Sequence, residues 1–221
     1  MGGYIIYHPK RRREEFAGTP VYFDNNEGNQ DPYVWNRQFL HTYCHITQMT
    51  PQEGDTNFWV SGDTFPNFTH LFCDLVFEVE RKIYWAESNR IERKDPLVDS
   101  KAAFNDHYAW AMHQHALKRR RRFTLKATAG SYQPQTAEGG LLDIVPALEE
   151  IGISLADLRT RLRAGFNSRP TRLSDAEAAG LKAWLDAAAA RKLVGAHLES
   201  IRRENPEKLA SQLPGETNPR C

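Results

Sequence analysis

The sequence predicts an α+β protein: a mixed, strand-rich N-terminal core followed by a helical C-terminal module. Three observations carry this expectation. Aromatic and β-branched runs with period-two alternation concentrate before residue 139. From Gly139 onward, leucine and alanine recur at helical spacing behind residues that cap helices. The chain has 221 residues, 40% hydrophobic and 26% charged, which is enough for one substantial core.

Taken in order, Tyr4–Tyr7 is a short apolar stretch, and Lys10-Arg11-Arg12-Arg13 is a basic run close behind it. Asp24 to Asp31 is dense in Asn, Glu and Gly and reads as a loop. Phe39–Thr47, Asn57–Ser61 and Leu71–Trp85 are candidate strands, rich in aromatic and β-branched residues. In the last of these, Leu75, Phe77 and Val79 alternate with Val76, Glu78 and Glu80, which predicts a strand buried on one face. Ser100 caps a helix to about Leu117, with Phe104, Tyr108, Ala111, Met112 and His115 as its core stripe. His107, Trp110 and Gln114 share the flank of that helix. Arg119-Arg120-Arg121-Arg122 closes it, and Phe123–Ala127 alternates as a strand.

Gly130–Gly140 is polar, contains Pro134 and reads as a boundary. Pro146 suits the first turn of a short helix that Gly152 ends. Ser154 caps Leu155–Ala164, with Leu155, Leu158 and Leu162 on one side. Ser174-Asp175-Ala176-Glu177 forms a capping box for an alanine-rich helix, expected to run to Arg203 with a break near Gly195. The chain thus divides into residues 1–138, a strand-rich and aromatic-rich core that holds any chemistry, 139–205, a helical module, and a flexible tail, 206–221. Arg159, Arg161, Arg163, Arg169 and Arg172 give the helical module a basic side.

A net charge of +1 and a pI of about 7.8 exclude a uniformly basic chain, so any affinity for nucleic acid rests on local clusters. No apolar run reaches the roughly 20 residues that span a bilayer, and the N-terminus lacks a signal peptide's apolar centre. Cys44, Cys73 and Cys221 are an odd set, expected as free thiols in a reducing cytoplasm. The expected setting is therefore cytoplasmic, without a membrane.

The most pointed local string is Gln30-Asp31-Pro32-Tyr33. It resembles the water-activating motif of uracil-DNA glycosylases. That resemblance implies a carboxylate, Asp31, beside the anomeric carbon, where N-glycosidic cleavage builds positive charge. It also implies an aromatic wall, Tyr33, that receives a base swung out of the stack. Trp35 and Trp110 extend the expected base pocket, and His107 is the expected proton carrier. Arg11, Arg12, Arg13 and Arg119, Arg120, Arg121, Arg122 are expected on phosphates, because guanidinium forks match phosphate oxygens. The expected reaction removes a modified or damaged base from DNA, in repair or against phage DNA, without a cofactor.

Two alternatives use other residues. Asp63 with Glu80 and Lys82 is similar to the core of restriction-type nucleases, in which two carboxylates hold Mg²⁺ and a lysine orients water. The other is a non-catalytic module that binds nucleic acid or protein. His41, Cys44, His45, His70 and Cys73 repeat a His-x-x-Cys spacing with zinc-binding residue types. On extended segments, residues three apart face opposite ways, so buried thiols are expected there and no metal. The strings of phosphate-binding glycine loops and of serine-hydrolase elbows are absent.

Overall fold

A long central strand organises the molecule. The computed structural model describes residues 2–8, 11–16, 18–26, 29–30, 42–43, 51–64, 67–84, 123–162 and 170–194. Among them, strand β1 is Gly3–Tyr7, β2 Arg11–Phe16, β3 Thr19–Asn26, β4 Asn29–Gln30, β5 Thr42–Tyr43, β6 Thr56–Gly62 and β7 Leu71–Tyr84. Then come β8, Phe123–Ala127, β9, Tyr132–Gln135, β10, Leu142–Asp143, β11, Thr171–Leu173, and β12, Arg191–Val194. Three helices interleave with them: α1, Val145–Glu150, α2, Leu155–Arg161, and α3, Asp175–Ala188. The fold is α+β.

The main sheet runs β11-β1-β6-β7-β8-β5, with β9 and β10 also paired to β7 and β12 paired to β9. β1 and β6 are parallel, Ile5 opposite Phe58, whereas β6 and β7 form an antiparallel pair. The other side of β7 is covered in series by β8, by Tyr132 of β9 opposite Val76, and by β10. A separate three-stranded sheet, β2-β3-β4, is an antiparallel meander.

Cover on both faces of the sheet explains why β7 departs from the expected alternation. Leu75 and Val76 are both buried, and between Trp59, paired with Leu75, and Val60, paired with Cys73, Asp74 is an extra residue that bulges β7. The strand is central rather than half-exposed. Glu80, past the bulge, is exposed.

One face of the main sheet is apolar and carries the helices. Ile5, Tyr7, Phe58, Val60, Cys73 and Val76 pack there with Ala147, Leu148, Leu158, Leu181 and Leu185. Each helix contributes what its local sequence dictates. In α1 Pro146 occupies the first turn, and Gly152 follows at φ +87°, a left-handed conformation that costs glycine little. Ser154 caps α2 by accepting from Asp157 N. Ser174 and Glu177 make the reciprocal capping box of α3. α3 approaches β1 closely: a Cβ on Gly3 would lie 2.4 Å from the Cβ of Ala178.

Several expectations need correction. The boundary at residue 138 does not separate two cores, since α1, α2 and α3 bury their apolar sides on the sheet formed by β1, β6 and β7. β11 and β12 also add strands to that sheet from within the supposed helical module. The polar stretch Gly130–Gly140 contains buried strand β9, and Asp24 to Asp31 contains the end of β3 and all of β4. α3 ends at Ala188 and the chain turns into β12 instead of continuing as helix. The expected Ser100 helix, most of Phe39–Thr47 and the tail 206–221 lie outside the described residues.

Candidate functional site

The face of the main sheet opposite the helices is built differently. Strand alternation sends His8, Asn57, Ser61, Asp74, Gln133 and Gln135 to this side, and all six are buried. Burying polar groups is unfavourable unless they are bonded, so their partners are informative.

At the centre, the His8 imidazole Nε2 pairs with Asp74 Oδ2, the two side chains being 3% and 4% exposed. Ser61 Oγ donates to Asp74 Oδ1 at 3.1 Å. Arg11 Nη1 in turn donates to Ser61 Oγ at 2.9 Å. A chain of contacts thus leads from a buried imidazole, through a carboxylate and a hydroxyl, to an arginine that is itself exposed. Ser61 is not an activated nucleophile in this arrangement: its proton goes to Asp74, and it accepts from Arg11. Asp74 and His8 hold the group that holds Arg11. Their role in this geometry is positioning.

The β2–β3 hairpin that supplies Arg11 is clamped to the sheet by two glutamines. Gln133 Nε2 donates to Tyr22 O at 2.7 Å and to Asp74 O at 2.9 Å, while Tyr22 N donates to Gln133 Oε1 at 3.0 Å. The amide therefore pairs with both backbone groups of Tyr22, as another strand would. Gln135 Nε2 donates to Pro20 O at 2.8 Å, and proline has no N–H to return. Asn57 is the exception. It is fully buried, and neither atom of its amide has a hydrogen-bond partner among the described residues.

Around Arg11 lies a row of rings. Its guanidinium carbon is 4.8 Å from the Phe72 ring centroid and 5.9 Å from that of Tyr22. The His70 ring stacks on Phe72 with centroids 6.1 Å apart. Trp59 sits 6.0 Å from His8 beneath. His70 Nδ1 meets Asp143 Oδ2 at 2.8 Å, and that hydrogen bond with the carboxylate charge raises the imidazole's pKa above its ordinary value. Partial desolvation of Asp63 opposes ionisation, but donors from His70 N, Thr69 Oγ1 and Thr69 N outweigh it and hold the carboxyl well below its usual range.

The sequence-predicted residues fall into three groups. Arg11 and Arg13 are exposed on β2, with Arg12 between them in the strand. Asp31, Tyr33, Trp35, His107, Trp110 and Arg119, Arg120, Arg121, Arg122 lie outside the described residues, as do His41, Cys44 and His45. The nuclease set is not brought together. Gly62 pairs with Leu71, which places Asp63 at one end of β7. Glu80 and Lys82 lie beyond the bulge toward the other end, roughly 30 Å away at a strand rise of about 3.3 Å per residue. The Asp63 carboxylate is also committed to its own loop. His70 and Cys73 do not converge either, because Cys73 points into the apolar core, where burial pushes its thiol up.

The basic side expected on the helical module is partly spent inside the protein. Arg159 Nε donates to Phe68 O at 3.0 Å, fastening the β6–β7 loop to α2.

Sequence reading missed His8, Ser61, Asp74, Gln133 and Gln135. Gln133-Pro134-Gln135 did carry a period-two signal flanked by Tyr132, but its polarity reads as loop. Comparison of the chain with protein-family models, curated proteins and solved structures finds no match. No helix among the described residues is long and apolar enough to cross a membrane.

Proposed function

We propose that this protein processes nucleic acid in the cytoplasm, and that its reaction is hydrolysis of an N-glycosidic bond to a modified or damaged base in DNA. One observation carries the reading. In the three-stranded sheet, Arg11 pairs with Asp24, and the next residue, Asn25, pairs with Gln30. Arg11 and Gln30 thus share one end of that sheet, roughly 10 Å apart across β3 at a strand spacing of about 4.8 Å. Asp31-Pro32-Tyr33 follows Gln30 directly in the sequence. Base excision needs a cation for the phosphate, a carboxylate for the sugar and an aromatic ring for the base, and Arg11, Asp31 and Tyr33 supply these residue types.

In this reading Asp31 stabilises the sugar cation and orients water, while Arg11, held by Ser61, Asp74 and His8, fixes a flanking phosphate. His107, Tyr33, Trp35 and Trp110 are assigned to the base and its leaving proton. No metal takes part.

The test uses DNA bearing varied modified bases, incubated with the protein in the presence and absence of EDTA and then treated with alkali. Breaks that appear only after alkali, and are indifferent to EDTA, mark abasic sites and support the reading. Direct, EDTA-sensitive scission overturns it in favour of metal-dependent cleavage. Salt-dependent retention of DNA without any breaks reduces the protein to a binding module. Asp31→Asn is expected to abolish base release with the fold intact, and retained activity in that variant removes Asp31 from the chemistry.

A further inference from the structure

We propose that the row formed by Tyr22, Arg11, Phe72 and His70 is a stacking platform for single-stranded nucleic acid, so that the substrate is presented as unpaired bases rather than as duplex. The inference rests on the base-processing reading for its biological sense, although the platform stands on its own geometry.

The four side chains form a continuous row. Tyr22 lies 5.9 Å from the Arg11 guanidinium, Arg11 lies 4.8 Å from Phe72, and Phe72 lies 6.1 Å from His70, each taken to ring centroids. Phe72 and Tyr22 are partly exposed, while Arg11 and His70 are exposed. Partly exposed rings grouped around one arginine, rather than a single exposed apolar residue, invite an explanation. Base stacking supplies one, because every base has a π-face and binding to an aromatic row tolerates any sequence.

The row is also polarised. At one end Arg11 is joined on β2 by Arg13, whose side chain is 54% exposed and bridges to Glu15. At the other end His70 is flanked by Asp143, to which it is bonded, and by Asp63. The carboxylates discourage phosphates near His70, whereas Arg11 and Arg13 attract them. Backbone is thus expected at the Arg11 end and bases over Phe72 and His70.

Two further points favour a single strand. Duplex DNA keeps its base faces stacked inside, where an exposed ring cannot reach them. Duplex binding by charge alone asks for a broad basic surface, whereas the exposed cations described at this row are Arg11 and Arg13. Arg11 is moreover pre-positioned, since Ser61 fixes Nη1 at 2.9 Å and leaves the other guanidinium donors for a phosphate.

The test is fluorescence anisotropy of the full-length protein with a short labelled oligothymidylate and with a labelled duplex of equal length. The single strand is expected to bind at least tenfold more tightly. Phe72→Leu and Tyr22→Leu, which keep apolar volume but remove the ring, are each expected to weaken single-strand binding by roughly tenfold, following the usual cost of losing one base stack. Both are expected to leave the salt slope unchanged. Arg11→Gln is expected to lower that slope by about 0.7, the value for one phosphate on a single strand. Circular dichroism establishes that each variant is folded, and Tyr22→Leu preserves the backbone pairing to Gln133, so it serves if Phe72→Leu does not fold.

Equal affinity for duplex, or unchanged single-strand binding in the folded ring variants, overturns the platform. Base release measured on the same samples separates the two proposals. Ring-dependent binding without base release keeps the platform and removes the glycosylase reading. Base release that is indifferent to both ring variants does the reverse.

Discussion

The buried pair His8–Asp74 offers the sharpest test of how the polar face is held together. Both side chains are almost wholly removed from water, 3% and 4% exposed, so screening by solvent is slight. Asp74→Leu leaves His8 without its carboxylate and Ser61 without its acceptor. His8→Phe leaves a buried carboxylate whose remaining side-chain partner among the described residues is the Ser61 hydroxyl. Removing one member of such a pair costs about 3–5 kcal/mol, because the survivor keeps its desolvation penalty and loses its compensation. For a chain of this length, about 2–4 °C of melting temperature is lost per kcal/mol, so each single variant is expected to fall by roughly 6–20 °C. The double variant His8→Phe/Asp74→Leu removes both penalties together. Its remaining loss is about 1 kcal/mol for the hydrogen bond from Ser61. It is therefore expected to be more stable than either single variant. Urea denaturation followed by far-UV circular dichroism measures all four proteins of the cycle. A double variant whose loss equals the sum of the single losses shows the two sites to be independent, and the pair then does not hold the face.

Three further outcomes follow from particular contacts. Gly3→Ala places a methyl group 2.4 Å from Ala178 Cβ and is expected to cost about 1–3 kcal/mol; the swap Gly3→Ala/Ala178→Gly is expected to recover part of it, and a destabilised swap no better than the single variant refutes the contact in thermal melts. Asn57→Leu removes a buried amide with no partner among the described residues, and is expected to raise the melting temperature. A lower one means that the amide is bonded in solution. His70 has a raised folded-state pKa, so its pairing with Asp143 contributes stability below the ordinary histidine pKa and loses that contribution as pH rises through the folded value. An NMR titration is expected to place His70 above an ordinary histidine in the wild type and to return it there in Asp143→Asn, and an unmoved titration contradicts the pairing.

How much of this was legible in the sequence varied with the range of the interaction involved. Helix starts were readable because capping is local: Ser154 with Asp157 and Ser174 with Glu177 bond within three residues. Strands β6, β7 and β8 were readable from period-two runs of aromatic and β-branched residues. The end of α3 was not, since Ala187 to Ala190 favours helix. The chain leaves it to pair Arg191–Val194 with β9, about sixty residues earlier in the chain.

The candidate site was legible only in part. Arg11 and Arg13 stood out as a basic run, and both side chains are exposed. The carboxylate that positions Arg11 did not stand out. Asp74 lies inside the apolar run Leu71–Val79, where a charged residue reads as a strand's solvent side, and its partner His8 is sixty-six positions away. Asp63 shows the opposite error. Its spacing to Glu80 and Lys82 fitted a metal site, but antiparallel pairing of β6 with β7 carries Glu80 away from it.

By itself, then, the sequence determined the α+β class, the caps and the alternation of strands, because each of those depends on residues within one or two turns of one another. Tertiary structure alone decided that the helices share one core with the sheet and that the opposite face buries a linked row of polar groups. It also decided that Arg11 stands among rings from β3 and β7. Those outcomes depend on strand register, and register is set by which distant segments pair. The period of a single strand fixes two faces, but only its partners decide which face meets apolar helices and which meets a polar hairpin.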